Sequence, residues 1–247
     1  MVHLGGPAEL LSTRVVRALV PLLARGLKLR VELGLADDLL DRLAAGTLDL
    51  VVSSVRPRRR GVHATPLLDE EFVLVAAPER AERAGIRPPG DSSGGPVGEP
   101  VDEPPGPGPD TAPGGGAGAG TVAPWLPDPA RLTGIPVLAY AEDLPVIRRY
   151  WRTVFGARPV MSAALVMPDL RGVLGAVAAG AGMSVLPRYL CEEELAAGTL
   201  VPLAEPELPP INTLFLAVRE GAMTRRAVAA VHDHLLRWGR ESPDRRT

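Results

Sequence analysis

Apolar residues recur along this chain at two alternating spacings, and the alternation is the first structural signal. Val2 to Leu4 make a short apolar run that reads as a strand. Leu11, Val15, Leu19 and Leu22 then fall three or four apart, which predicts an amphipathic helix over about residues 7–24. Pro7 suits the first position of that helix, where no backbone N–H is needed. Residues 27–34 alternate apolar and polar at period two, as a half-buried strand does. Residues 36–46 read as a helix, with Asp37 and Asp38 in its first turn and Gly46 as its stop. Residues 48–54 follow as a buried strand. Strands and helices alternating over short links predict a parallel sheet covered by helices.

The rhythm changes at 63–79, where two extended runs flank the acidic Asp69-Glu70-Glu71. From Asp91 to Pro124 about half the residues are Gly or Pro, with hardly any large apolar side chains. Such a segment cannot bury enough surface to offset its ordering entropy, so 91–124 is expected to be a disordered insert. Strands at 135–143, 158–168 and 182–190 then alternate with helices at 144–156 and 169–180. Asp169 is a plausible side-chain cap, and a short acidic helix occupies 191–198. An extended run at 211–221 and a helix at 224–239 are left over. Elements of this kind commonly return to complete the first half, which leaves two lobes joined by crossing strands. The cleft between such lobes is a natural place for a small ligand.

Composition narrows the function. With 247 residues the chain has room for an ample core. A net charge of −2 argues against a protein dominated by nucleic-acid binding. Cys191 is the only cysteine, so no intramolecular disulfide can form. No apolar run reaches the ~20 residues that span a bilayer, and the N-terminus lacks the pattern of a signal peptide. A cytoplasmic protein, or a module cut from a longer one, is expected.

Catalytic and metal readings find little support. His3 and His63 have no ligand-spaced partners, and His232 and His234 stand two apart on a helix, facing different ways. Cys191 has no histidine nearby in sequence, and the Gly-rich runs lack the Lys-Ser/Thr of a phosphate loop. No nucleophile–base pair is readable from spacing, so a binding protein is expected, not an enzyme, with no cofactor. The basic run "RPRRR" (56–60) has no interleaved aromatics and reads as a solvated loop.

Three segments carry a resemblance. "GAVAAGAGMSVLPRYLCEEELAAGTLVPL" (175–203) resembles the helix–strand–helix of the effector-binding domain of LysR-type transcriptional regulators. "LADDLLDRLAAGTLDLVVSS" (35–54) is similar to the segment leading into that domain's third strand, and "PLLDEEFVLVAAPE" (66–79) to its hinge crossing. The resemblance implies two Rossmann-like lobes in the manner of type 2 periplasmic-binding proteins: lobe I from 1–67 plus 206–247, lobe II from 68–205. It implies a small-molecule effector, anionic in character, held between the lobes and signalling by lobe movement. It also implies a homodimer or higher homo-oligomer, and DNA contact only through a helix-turn-helix domain absent from this chain. A stand-alone solute-binding protein of a transporter system is the alternative on the same fold.

The resemblance implies ligand residues at helix N-termini and at strand ends that would face the cleft. They are Gly5, Gly6, Pro7 and Ala8 after the first strand, and Ser53 and Ser54 after the third. From the second lobe come Tyr140, Ala141 and Glu142, with Met167 and Pro168 before the helix capped by Asp169. A helix N-terminus there suits a carboxylate, although the Gly-Gly-Pro-Ala turn supplies no hydroxyl before Ser12.

Overall fold

Residues 1–87 and 124–242 are described in the computed structural model of this chain. The Gly/Pro-rich stretch 91–124 lies outside them, save for Pro124.

The chain opens with β1 (Val2–Gly6), which runs straight into helical structure. The expected single helix is segmented into α1 (Ala8–Leu10), a π-helical stretch (Leu11–Val15), α2 (Val16–Ala18) and α3 (Val20–Ala24). Pro21 has no N–H to donate to the carbonyl one turn back, which ends α2 and restarts the helix. Pro7 sits one place outside the helix, as an extended N-cap residue (φ −61°, ψ 140°). Leu10, Leu11, Val15 and Leu19 are all fully buried, so the apolar face predicted from spacing is the one that packs. β2 (Leu29–Leu33), α4 (Ala36–Ala44) and β3 (Leu50–Ser53) follow. β1 lies between β2 and β3, parallel to both.

The two extended runs expected at 63–79 are one strand, β4 (Val62–Ala76). Its register shifts between Pro66 and Leu68, where the chain bends without breaking the pairing. Next come α5 (Pro78–Arg83), α6 (Pro129–Leu132), β5 (Val137–Ala139), α7 (Pro145–Phe155) and β6 (Ala163–Val166). The expected strand at 158–168 is thus only four residues long; β6 is an edge strand with one neighbour to hold it. α8 (Leu170–Ala178) is capped as predicted, the Arg171 N–H donating to Asp169 Oδ1 at 2.9 Å. β7 (Met183–Pro187), α9 (Glu192–Ala197), β8 (Val201–Pro202), β9 (Ile211–Arg219) and α10 (Arg226–Glu241) complete the chain.

The strands form one continuous sheet in the order β2-β1-β3-β9-β4-β7-β5-β6, with β8 alongside β4. β9 pairs antiparallel with β3 on one side and β4 on the other. β4 in turn pairs with β9 over its first two thirds and with β7 from Phe72 onward. These two strands therefore carry the chain from one half of the sheet to the other. The halves also share a core. One buried cluster joins Leu4, Leu50 and Val231 to Val177, Leu186 and Leu190 through Val73 and Val75 of β4. A second, around Tyr150, Trp151 and Leu74, lies on the other face of the β7 half. Each fully buried leucine contributes roughly 2 kcal/mol of transfer free energy, which fixes where the strand ends stand.

Candidate functional site

β1 and β2 run in parallel register, Gly6 opposite Leu33, so they finish side by side. Pro7, Ala8 and Glu9 after one, and Gly34, Leu35 and Ala36 after the other, form one wall of an open cavity of about 350 Å³. Ser54, just past β3, extends the wall. The facing wall comes from the other half of the sheet: Tyr140 after β5, and Pro168 and Leu170 around the start of α8. Carboxyl ends of parallel strands are where open α/β sheets bind ligands.

The structure sorts the residues expected at this site. Pro7, Ala8, Ser54, Tyr140 and Pro168 line the cavity. Gly5, Gly6 and Ser53 do not. Gly5 and Gly6 are buried, and a Cβ on either would press into leucine side chains: Leu48 at 2.9 Å for Gly5, Leu11 at 3.0 Å for Gly6. Ser53 is fully buried, and its hydroxyl closes a turn by donating to the Val55 carbonyl at 2.7 Å. Ala141, Glu142 and Met167 are also outside the walls; the Ala141 carbonyl accepts from Leu144 N at 3.2 Å. Sequence reasoning missed Glu9, Leu170 and the Gly34–Ala36 turn. The signal for the turn was available, since a strand parallel to β1 must end beside it.

A larger hollow of about 650 Å³ lies at the end of α7, lined by Arg148, Arg152 and Arg158. It shares no residue with the strand ends. The basic run at 56–60 is partly engaged on α4, Arg59 reaching Asp41 at 2.7 Å and Asp37 at 3.0 Å. Among the described residues no cluster of His, Cys, Asp and Glu could hold a metal ion, and no helix is long and apolar enough to cross a membrane.

This arrangement is matched by known proteins. The LysR substrate binding domain family matches residues 1–93 and 123–240. The HTH-type transcriptional regulator AbaB of Streptomyces antibioticus is 39% identical over 236 residues, covering 94% of this chain and 67% of that protein. The chain belongs to the LysR substrate-binding-domain family. Solved structures agree in fold. The C-terminal domains of a LysR family protein from Agrobacterium tumefaciens superpose with a TM-score of 0.70 at 21% identity, covering 97% of this chain and 96% of that one. ArgP from Mycobacterium tuberculosis gives 0.70 at 16% identity, over 99% and 69% of the two chains. Full-length LysG from Corynebacterium glutamicum with bound effector Arg gives 0.63 at 17%, over 96% and 67%. The LysR domain thus has the two-lobed, type 2 periplasmic-binding-protein-like fold that the sequence resemblance implied. It is an effector-sensing domain of a transcriptional regulator, in a family that is not enzymatic, and the transporter alternative is not favoured.

Charged groups surround the cavity of this LysR domain. Asp169 takes both Nε and Nη2 of Arg171, at 3.0 and 2.7 Å, and these hydrogen bonds hold its carboxyl below its ordinary range. Arg171 Nη1 also donates to Ser12 Oγ at 3.1 Å, reaching from α8 to the helical segment after β1. Burial raises the Glu9 carboxyl above its ordinary value. Behind the cavity, burial pushes Glu70 up to about 7, against an opposing hydrogen bond from Asn212. The Tyr140 hydroxyl is raised by burial and by the charges of Asp143, Glu9 and Glu70. A tyrosine kept neutral at this place can both donate and accept a hydrogen bond.

Proposed function

We propose that a small-molecule effector binds in the cavity between the Pro7–Glu9 and Gly34–Ala36 turns on one side and Tyr140 and Pro168 on the other. The observation that carries this reading is that its walls come from strand ends in both halves of the sheet. A ligand touching both walls stabilises one angle between lobe I (1–67 plus 206–247) and lobe II (68–205), because it binds the two angles unequally. Two side-chain links between the lobes would report such a change: Arg171 to Ser12 at 3.1 Å, and Arg14 to Glu192 at 2.8 Å. The LysG relative solved with a bound effector supports a small-molecule occupant. In this reading the regulator is cytoplasmic and assembles as a homodimer or higher homo-oligomer. It contacts DNA through a helix-turn-helix outside the present residues, so that lobe angle sets the spacing of the DNA-binding modules.

The test is a ligand screen by thermal shift on the native chain and on Ala8→Trp, whose indole would fill the cavity. A ligand held only by the folded state raises its melting temperature. The expected result is a shift for the native chain that Ala8→Trp removes. Shifts that survive Ala8→Trp for every ligand would move the site elsewhere.

A further inference from the structure

The cavity is unequal in charge. Glu9 stands in its wall, and among the described residues no Lys, Arg or His side chain lines it. The carboxyl of Glu9 is supported by its own backbone N–H and lies within the field of Asp169 and Arg171. Arg171 is already committed, holding Asp169 through two nitrogens and Ser12 through the third. Asp169 therefore offsets most of the charge of Arg171, and among the described residues Glu9 has no ion pair of its own. Glu70 also feels Glu9 and is balanced by Arg149, which is tied to the Asn212 side chain at 3.1 Å and to the Ile211 carbonyl. Burial drives Glu70 toward its protonated form, so the acid that bears on the cavity wall is Glu9.

A half-desolvated carboxylate without a cation beside it is unfavourable and is relieved by a cation that binds there. An anion meets the opposite situation. It would approach Glu9 against repulsion, and the Gly5-Gly6-Pro7-Ala8 turn offers it neither a hydroxyl nor, at Pro7, an N–H. Burial raises the Glu9 carboxyl, and a cation beside it would favour the ionised form.

We infer that the effector of this domain carries a protonated amine that seats on the Glu9 carboxylate, with its apolar part against Leu35 and Leu170 and the Tyr140 hydroxyl beside it. The inference rests on reading the cavity as the effector site. It replaces the anionic effector expected from the helix N-terminus.

The experiment uses matched probes that differ in charge and not in skeleton: phenethylamine, 2-phenylethanol and phenylacetate, then pentylamine, pentanol and pentanoate. Each is titrated against the native chain, Glu9→Gln and Ala8→Trp by thermal shift and calorimetry at neutral pH. The amines should bind tightest, and Glu9→Gln should weaken them by at least about tenfold while leaving the alcohols unchanged. Should Glu9→Gln fail to fold, Glu9→Asp withdraws the carboxyl by one methylene and should weaken the amines while keeping their rank. Carboxylates binding as well as amines, amine affinity untouched in the Glu9 variants, or no amine binding at millimolar concentration would each overturn the inference. Ala8→Trp separates the two failures. If it abolishes binding of whichever probe binds, the cavity stands and only the charge assignment falls; if it abolishes nothing, the cavity reading itself falls.

Discussion

Asn212 donates from Nδ2 to Glu70 Oε1 at 2.9 Å and to the Ser54 carbonyl at 3.3 Å. The bond to Glu70 joins β9 to β4 where the two crossing strands lie side by side, and the bond to Ser54 ties both to the end of β3. A buried carboxyl is thus held at the hinge by a neutral amide. Burial favours its protonated form, and the amide N–H only partly opposes this.

The consequence is a pH dependence of definite sign. The folded-state value for Glu70, about 7, lies above the ordinary 4.5, so the folded state binds the proton more tightly than the unfolded chain. Its stabilising contribution is complete below pH 4.5 and is lost as pH rises through 7. Relative to Glu70→Gln, which cannot ionise, the native chain should lose about 3 kcal/mol of stability across that window. Urea denaturation of both proteins between pH 4.5 and 8 measures the difference, and parallel curves would remove Glu70 as its source.

Ser53→Ala should act on stability and not on ligand binding. Its hydroxyl is fully buried and closes the turn to Val55, so removing it costs about 1 kcal/mol. Effector affinity should stay within about twofold, because the side chain does not reach the cavity. Paired unfolding and binding measurements on this variant check both halves of the statement.

Arg171→Ala should change the coupling between lobes more than it changes stability. The side chain is largely exposed, and its links to Asp169 and Ser12 are together worth under about 1 kcal/mol. The link to Ser12 nevertheless runs from α8 to the helical segment after β1. Fluorescence energy transfer between dyes on α4 and α7 should show a broader distance distribution in the variant, at nearly unchanged melting temperature.

Gly182→Ala should be among the more damaging single-methyl changes. A Cβ at that position would lie 2.1 Å from the Pro136 carbonyl oxygen and 2.5 Å from Leu138 Cδ1, where β7 starts beside β5. Backbone must move to admit it, at a cost of roughly 1–3 kcal/mol. Chemical denaturation measures it, and a change within experimental error would mean that the two strands separate freely.

Most of the fold was legible in the sequence because helix and strand periodicity is a local property. The apolar spacing of residues 11–22 marked the buried face even though the helix is broken, since Leu11, Val15 and Leu19 pack as one stripe. The site was legible only in part. Ser53 and Ser54 are adjacent and of one type, yet β3 ends between them, so one closes a turn in the core and the other borders the cavity. Gly5 and Gly6 stand outside the cavity walls, with leucine side chains filling the space that a Cβ would need.

Spacing along the chain, with three motifs in order, settled the element types, the family and the existence of a cleft. What it could not settle was the charge in that cleft. Glu9, Tyr140, Asp169 and Arg171 are brought together by strands that end side by side and by two strands that cross between halves. Asp169 and Arg171 pair locally, two positions apart at the start of α8, and only that convergence brings Glu9 into their field and beside Tyr140. Desolvation and Coulomb interaction depend on separation in space, and for residues more than a hundred positions apart no local pattern records it.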